Sequence, residues 1–426
     1  MLIKTIVIAS VIFSAFITNS TKAQTSPTLP LGIFPIVVGF GPNNVNTEFD
    51  KARNAAFNGV SPTSLLATQT QVTQMLTMAN SRGMAFSAVW DGDYNTIINN
   101  PASTSAQVNT AIDTLYSRYG TYSSNWYWYL KDEPSKTHFT NIQTAATRMK
   151  SKSTKARLVN LFPSYASCQQ LAGTAPGSPC SYTYQSYVRD FVSTATNVNF
   201  VTVDHYPFNT DGTVRNDWFF TLETVRKEAL SYSREYGAVI QGAGAPSGQP
   251  GNPTPAQLRW QAYSALAYGN KLISFFSWVD IPDESLIGYG ASTTDLSEIT
   301  VINNKVRDIG KYLIKAKSSA IWHADTNRPF GTSGRPAVSP VTFSTNIPIL
   351  VGEFTITGNT GKYVLIGNRS FNLSNIPVTL CPTTSTGYVW YLNGIWYRAD
   401  PNQTPGRCAN VTFDLVGGDA ALFYLQ

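Results

Sequence analysis

The chain has 426 residues, enough for a large domain plus a smaller one, with 12% aromatic residues, 13% charged residues and a net charge of +6. The charged share is about half the usual quarter, and its lysines and arginines form no dense run, which argues against a nucleic-acid partner. No segment after the N-terminus is long and apolar enough to cross a membrane.

The first 23 residues read as a secretory signal: Lys4 is the positive start, 6–17 the apolar core, and Ala23 the small residue at the cleavage point. Four cysteines fit an exported protein. Short spacing pairs Cys168 with Cys180 and Cys381 with Cys408. Neither pair has zinc-ligand spacing, so no metal and no cofactor are expected.

Strand-like and helix-like segments then alternate. A strand at 33–40 precedes a helix capped by Thr47, and a short strand at 59–61 precedes a helix at 72–80. Strand 84–90 is followed by helix 107–119, strand 126–133 by helix 139–150, and strand 157–162 by helix 184–194. Strand 198–206 leads to a helix at 217–236, strand 238–242 to a helix opened by Thr254 and Pro255, and strand 272–278 to a helix at 296–315. Eight strands each followed by a helix predict a (β/α)8 barrel over 31–318. No glycine-rich phosphate fingerprint follows the first strand, which weighs against a doubly wound sheet.

Helical periodicity stops near residue 320. Short alternating runs between Gly, Pro and Asn turns predict a small β-sandwich over 320–426. Four glycosylation sequons fall there, at Asn368, Asn372, Asn402 and Asn410.

Chemistry concentrates at the strand ends, which a barrel gathers on one face. The run Asn125-Trp126-Tyr127-Trp128-Tyr129-Leu130-Lys131 stops at Asp132-Glu133-Pro134, because proline cannot continue a ladder. The third strand ends at Trp90, Asp91 and Asp93, the sixth at Asp204, His205 and Tyr206, the seventh at Gln241, and the eighth at Trp278 with Asp280 beyond.

With these residues the chain resembles the barrel glycoside hydrolases over 125–280, with a β-sandwich after the barrel. The best-known clan of that group carries Asn-Glu-Pro after strand four. The resemblance implies that Glu133 is the proton donor and that Trp278 stacks on the sugar. It also implies a poly- or oligosaccharide substrate, for which Trp90, Tyr206, Gln241, Asp280 and His205 are the other binding candidates. The departure is at strand seven, where the clan has a nucleophilic Glu and this chain has Ala238-Val239-Ile240-Gln241.

Two mechanisms replace it. Asp204 is the partner carboxylate of Glu133, their separation deciding retention or inversion. Alternatively the Asp132-Glu133 pair works as in substrate-assisted N-acetylhexosaminidases, with Asp132 orienting an acetamido group and Tyr206 bonding to it. The second requires adjacent residues to reach one site, although strand alternation aims them apart unless the strand ends or bulges between them. A barrel that only binds glycans and a surface protein whose sandwich mediates adhesion are the non-enzymatic alternatives. Asp132 as a helix cap, His205 as packing, and Asp91 and Asp93 as turn residues are the structural readings. Oligomeric state is not legible.

Overall fold

The computed structural model describes residues 33–39, 46–61, 67–86, 91–242, 253–278, 293–343, 346–373, 376–382, 388–392, 395–398 and 412–425. Trp90, Asp280, Cys408, Asn402, Asn410 and the signal segment lie outside them, as does the pairing of Cys381.

Eight parallel strands alternate with helices. The first half runs β1 (Ile36–Gly39), α1 (Asn46–Asn54), β2 (Gly59–Val60), α2 (Gln69–Ser81), β3 (Ala85–Phe86), α3 (Gly92–Ile98), α4 (Ser105–Tyr119), β4 (Tyr127–Asp132) and α5 (Phe139–Lys150). The second runs β5 (Ala156–Leu161), α6 (Cys168–Ala172), α7 (Tyr184–Thr194), β6 (Phe200–His205), α8 (Trp218–Ser231), β7 (Glu235–Gln241), α9 (Pro255–Ala267), β8 (Ile273–Phe276) and α10 (Thr293–Leu313). Each strand pairs with its neighbour in sequence except β3 with β4, and β8 pairs with β1. The Phe86 N–H donates to Ser124 O at 2.8 Å just before β4, bridging the remaining gap. This is the expected barrel.

Thr254 starts its helix as the sequence suggests, and Thr68 and Thr104 start theirs in the same way: each forms a capping box with a glutamine three residues on. Thr47 does not, because α1 already begins at Asn46. The helix expected over 217–236 ends at Ser231, and Tyr236 belongs to β7. Its ring is needed there: Tyr236 is buried, and its hydroxyl donates to Tyr268 O at 2.8 Å. Inside the barrel Val37, Tyr127, Leu158, Phe200 and Leu272 pack together. Trp128 faces outward against Tyr116, 6.0 Å between ring centres.

A small all-β domain follows, beginning earlier than expected because β9 (Ala316–His323) spans the anticipated boundary. The other strands are β10 (Val341–Phe343), β11 (Ile349–Ile356), β12 (Lys362–Asn368), β13 (Ile376–Pro382), β14 (Tyr388–Leu392), β15 (Ile395–Arg398), β16 (Thr412–Leu415) and β17 (Ala420–Leu425). They form a six-stranded sheet, β15-β14-β17-β12-β11-β9, and a three-stranded one, β10-β13-β16. Trp322, Val351, Val364, Ile366, Val341 and Leu415 fill the space between the sheets.

The two domains share a core through α9. Trp260 Nε1 donates to Arg369 O at 2.6 Å, Arg259 Nε to Gly417 O at 3.2 Å, and Lys305 pairs with Asp419 at 2.5 Å. Gly352 lies against the end of α9 so closely that a Cβ would meet Ala267 O at 2.1 Å. Among the described residues no helix is long and apolar enough to cross a membrane.

Candidate active site

The site is built at the carboxyl ends of β4, β5 and β6. Against β5 the register of β4 slips between Tyr129 and Lys131, which leaves Leu130 as the extra residue of a bulge. Asp132 then pairs with Asn160, and the Glu133 N–H donates to Asn160 O at 2.9 Å. At Glu133 the backbone turns left-handed, φ 41°. That conformation is costly for a residue with a Cβ. Its effect here is to break the alternation of the strand, so that Asp132 and Glu133 serve one site although they are adjacent.

Three carboxyl groups meet there. Asp132 Oδ1 accepts from the Tyr129 hydroxyl at 2.5 Å and from Asn160 Nδ2 at 3.0 Å. Asn160 Nδ2 also donates to Asp204 Oδ1 at 3.1 Å, while its Oδ1 accepts from the Thr202 hydroxyl at 2.9 Å. The Glu133 and Asp204 side chains interact directly, and the interaction raises Asp204 while holding Glu133 down. One of the two therefore carries a proton, since bare carboxylates repel at that range.

Burial pushes Glu133 up to about 7 and the charge of Asp132 adds to the rise, while the interaction with Asp204 and the charge of Lys131 hold it back. Asp204 is 7% exposed, and burial followed by the charges of Glu133 and Asp132 raises it well above the ordinary carboxylate range. Lys131 offsets the cluster only in part: its Nζ donates to Asp132 O at 2.5 Å, and its charge lowers Glu133. Among the described residues Glu133 has no ion-pair partner. Nor does any group of His, Cys, Asp or Glu among them have the arrangement needed to hold a metal ion.

Tyr206 lies beside the cluster, its ring 5.1 Å from that of Phe276 and its backbone N–H donating to the Tyr165 hydroxyl at 3.4 Å. Asn160, Thr202, Tyr129 and Tyr165 escaped the sequence reading. The one available signal was a polar residue, Asn160, inside the apolar run Leu158-Val159-Asn160-Leu161.

Several expected binding residues are elsewhere. His205 is fully buried on the outer face of β6, its Nε2 2.9 Å from Asp217 and its ring between Tyr165 and Trp218. It alternates with Asp204 and so points away from the site. Gln241 is also fully buried, and its side chain makes two 2.9 Å bonds to the backbone of Phe208, holding the loop after β6. Trp278 has no exposed ring face on which a sugar could stack: it is edge-on to Phe57, and its indole N–H donates to Glu48 at 3.1 Å. Asp91 caps α3 and is held by Arg118 and Tyr119, at 2.8 and 2.6 Å. Asp93 pairs with the same arginine at 2.7 Å.

Cys168 and Cys180 form a disulfide. Its loop braces the turn after Glu133: Gly173 abuts Ser135 and Thr137, and the Tyr187 hydroxyl donates to Pro134 O at 2.8 Å.

No protein-family model and no curated protein matches the chain. Among solved structures it is similar to the β-galactosidase from Bacillus circulans sp. alkalophilus, with TM-score 0.60 and 8% identity over 93% of this chain and 99% of that one. It is also similar to the α-amylase from Geobacillus thermoleovorans complexed with acarbose, with TM-score 0.52 and 10% identity over 93% of this chain and 98% of that one. At such identities the likeness is one of fold, a barrel followed by a small all-β domain.

Proposed function

We propose that this protein is a secreted glycoside hydrolase in which Glu133 is the general acid and Asp204 its partner carboxylate. The observation that carries the reading is the directly interacting Glu133–Asp204 pair at the strand ends of a barrel, tied to Asp132 through Asn160. A carboxyl group that keeps its proton near neutral pH is suited to protonate a leaving oxygen. The β-galactosidase and the α-amylase share this fold, which is compatible with a carbohydrate substrate. For Asp204 to act as base or nucleophile it must be ionised, so the shared proton has to sit on Glu133 when the sugar is bound.

The same contact favours a second reading. Retaining pairs stand about 5–5.5 Å apart and inverting pairs about 6.5–9.5 Å. The two groups interact directly here, so a sugar carbon must part them. A 2-acetamido sugar that supplies its own nucleophile avoids that demand, with Asp132 orienting the acetamido group.

Turnover on a panel of polysaccharides and aryl glycosides tests both. Glu133→Gln is expected to lower hydrolysis of poor leaving groups by roughly 10²–10⁴-fold. Asp204→Asn is the more damaging partner change in the first reading. In the second it is Asp132→Asn, and only 2-acetamido sugars are cleaved. Unchanged hydrolysis by Glu133→Gln would overturn both readings. Glycan binding without hydrolysis by the wild type would make the barrel a binding module.

A further inference from the structure

Asn160 is the only residue that touches two of the three carboxyl groups through one side-chain atom among the described contacts. Its amide has two hydrogens, and the contacts at 3.0 and 3.1 Å direct one to Asp132 and the other to Asp204. Which way the amide points is decided on its other side. The Thr202 hydroxyl donates to Oδ1 at 2.9 Å, from the inward position two residues before Asp204. A reversed amide would aim its oxygen at two acids, and each unprotonated oxygen there would be repelled.

We propose that Asn160, oriented by Thr202, is a positioning residue that sets the pH at which the carboxyl cluster gives up its shared proton. The inference rests on the reading of Glu133 as the acid. An N–H bonded to a carboxylate stabilises the anion. Two such bonds from one amide therefore act against burial, which holds the proton on the cluster. The amide also fixes Asp132 and Asp204 relative to each other across three strands, a geometry no single strand imposes.

The other groups facing the cluster do not supply this control. Tyr129 comes from β4, Tyr165 from the loop after β5, Tyr184 and Tyr187 from α7, and Tyr206 from the end of β6. Burial lifts all five hydroxyls far above neutral, so they stay uncharged. Lys131, bonded to Asp132 O, lowers Glu133 by its charge, which both variants below leave in place, and Arg215 lies over the Tyr165 ring at 4.3 Å.

Thr202→Val keeps the shape of the side chain and frees the amide to turn. Asn160→Ala removes the donors outright. Both variants are compared with wild type by the pH dependence of kcat/KM on a cleaved glycoside. Carboxyl-carbon NMR titration of protein labelled at Asp and Glu is recorded in parallel. The expected result is a basic limb, and a matching carboxyl titration, moved up by about one pH unit, the size of one lost charge-assisted hydrogen bond. An activity loss with an unmoved limb and unmoved titration would overturn the proposal, reducing Asn160 to a structural contact. If Asn160→Ala does not fold, Thr202→Val alone decides. If no glycan is cleaved, the proposed activity fails, while the titration still answers whether Asn160 governs the proton.

Discussion

The backbone N–H of Glu133 donates to the carbonyl of Asn160 at 2.9 Å, one residue beyond the end of β4. The bond holds Glu133 at φ 41°, a conformation that few residues other than glycine adopt. The strand thus stays anchored while its last side chain is turned into a buried cluster of like charges. The protein tolerates strain and repulsion at one residue, and the repulsion is released if that residue loses its charge.

Glu133→Gln is therefore expected to raise stability, and to do so in a pH-dependent way. Glu133 titrates at about 7 in the fold and near 4.5 unfolded. Between those values the folded state holds a proton that the unfolded state has lost, so the wild type gains stability as pH falls through that window. Above it the half-buried charge is offset only in part by Lys131. The variant should exceed wild type by on the order of 2 kcal/mol at pH 8, and the gap should close toward pH 4.5. Chemical denaturation of the two proteins across that range is the measurement. A gap that widens on acidification would contradict the account.

The barrel was legible because its strands are apolar runs separated by capped helices; α5 and α7 run over the expected residues. The chemistry was legible where proline stops a strand, at Asp132-Glu133-Pro134. Which face a strand-end residue presents was not. His205 and Gln241 sit at the right height but are spent on Asp217 and on the Phe208 backbone. Asn160 becomes meaningful only through the registers of three strands, and no local pattern announces a left-handed glutamate.

Opening the Cys168–Cys180 disulfide should loosen the turn that follows Glu133. The loop it closes separates the two cysteines by 12 residues, and Gly173 within it, at φ 74°, would clash with Ser135 Oγ at 2.6 Å if given a Cβ. Replacing both cysteines by serine is expected to cost about 3 kcal/mol from chain entropy. Gly173→Ala should disturb the same contact without touching the bridge. Both should lower turnover if the loop holds the acid in place. Normal turnover in both would limit the bridge to stability.

Expression in a eukaryotic secretory host separates two of the sequons. Asn368 is 2% exposed and its Nδ2 is bonded to Leu373 O, Leu415 O and Val416 O at 2.9 to 3.2 Å, whereas Asn372 is exposed. A glycan on Asn368 would take away the nitrogen that holds this turn. Native secreted protein should carry sugar at Asn372 and none at Asn368, as read by glycopeptide mass spectrometry. Stable folded protein glycosylated at Asn368 would contradict the packing.

The junction between the domains should be sensitive to acid through His323. Its ring is 1% exposed, edge-on to Phe219 at 5.0 Å, with Nε2 3.2 Å from the Tyr268 hydroxyl. Burial lowers it to about 3, and the charges of Arg369 and Arg328 push the same way. The unfolded chain takes up a proton there below about 6.5, the folded protein does not, and so stability is lost as pH falls through that value. His138 and His205 are also lowered by burial and add to the slope. Replacing His323 with phenylalanine keeps the ring against Phe219 and removes the titrating group. It leaves the Tyr268 hydroxyl without this partner, which should cost about 1 kcal/mol at pH 7.5. Between pH 6.5 and 4.5, however, the variant should lose less stability than wild type, by on the order of 2 kcal/mol. Parallel unfolding curves at pH 7.5 and 4.5 make the comparison. An identical acid slope in both proteins would mean that the junction opens before His323 is protonated.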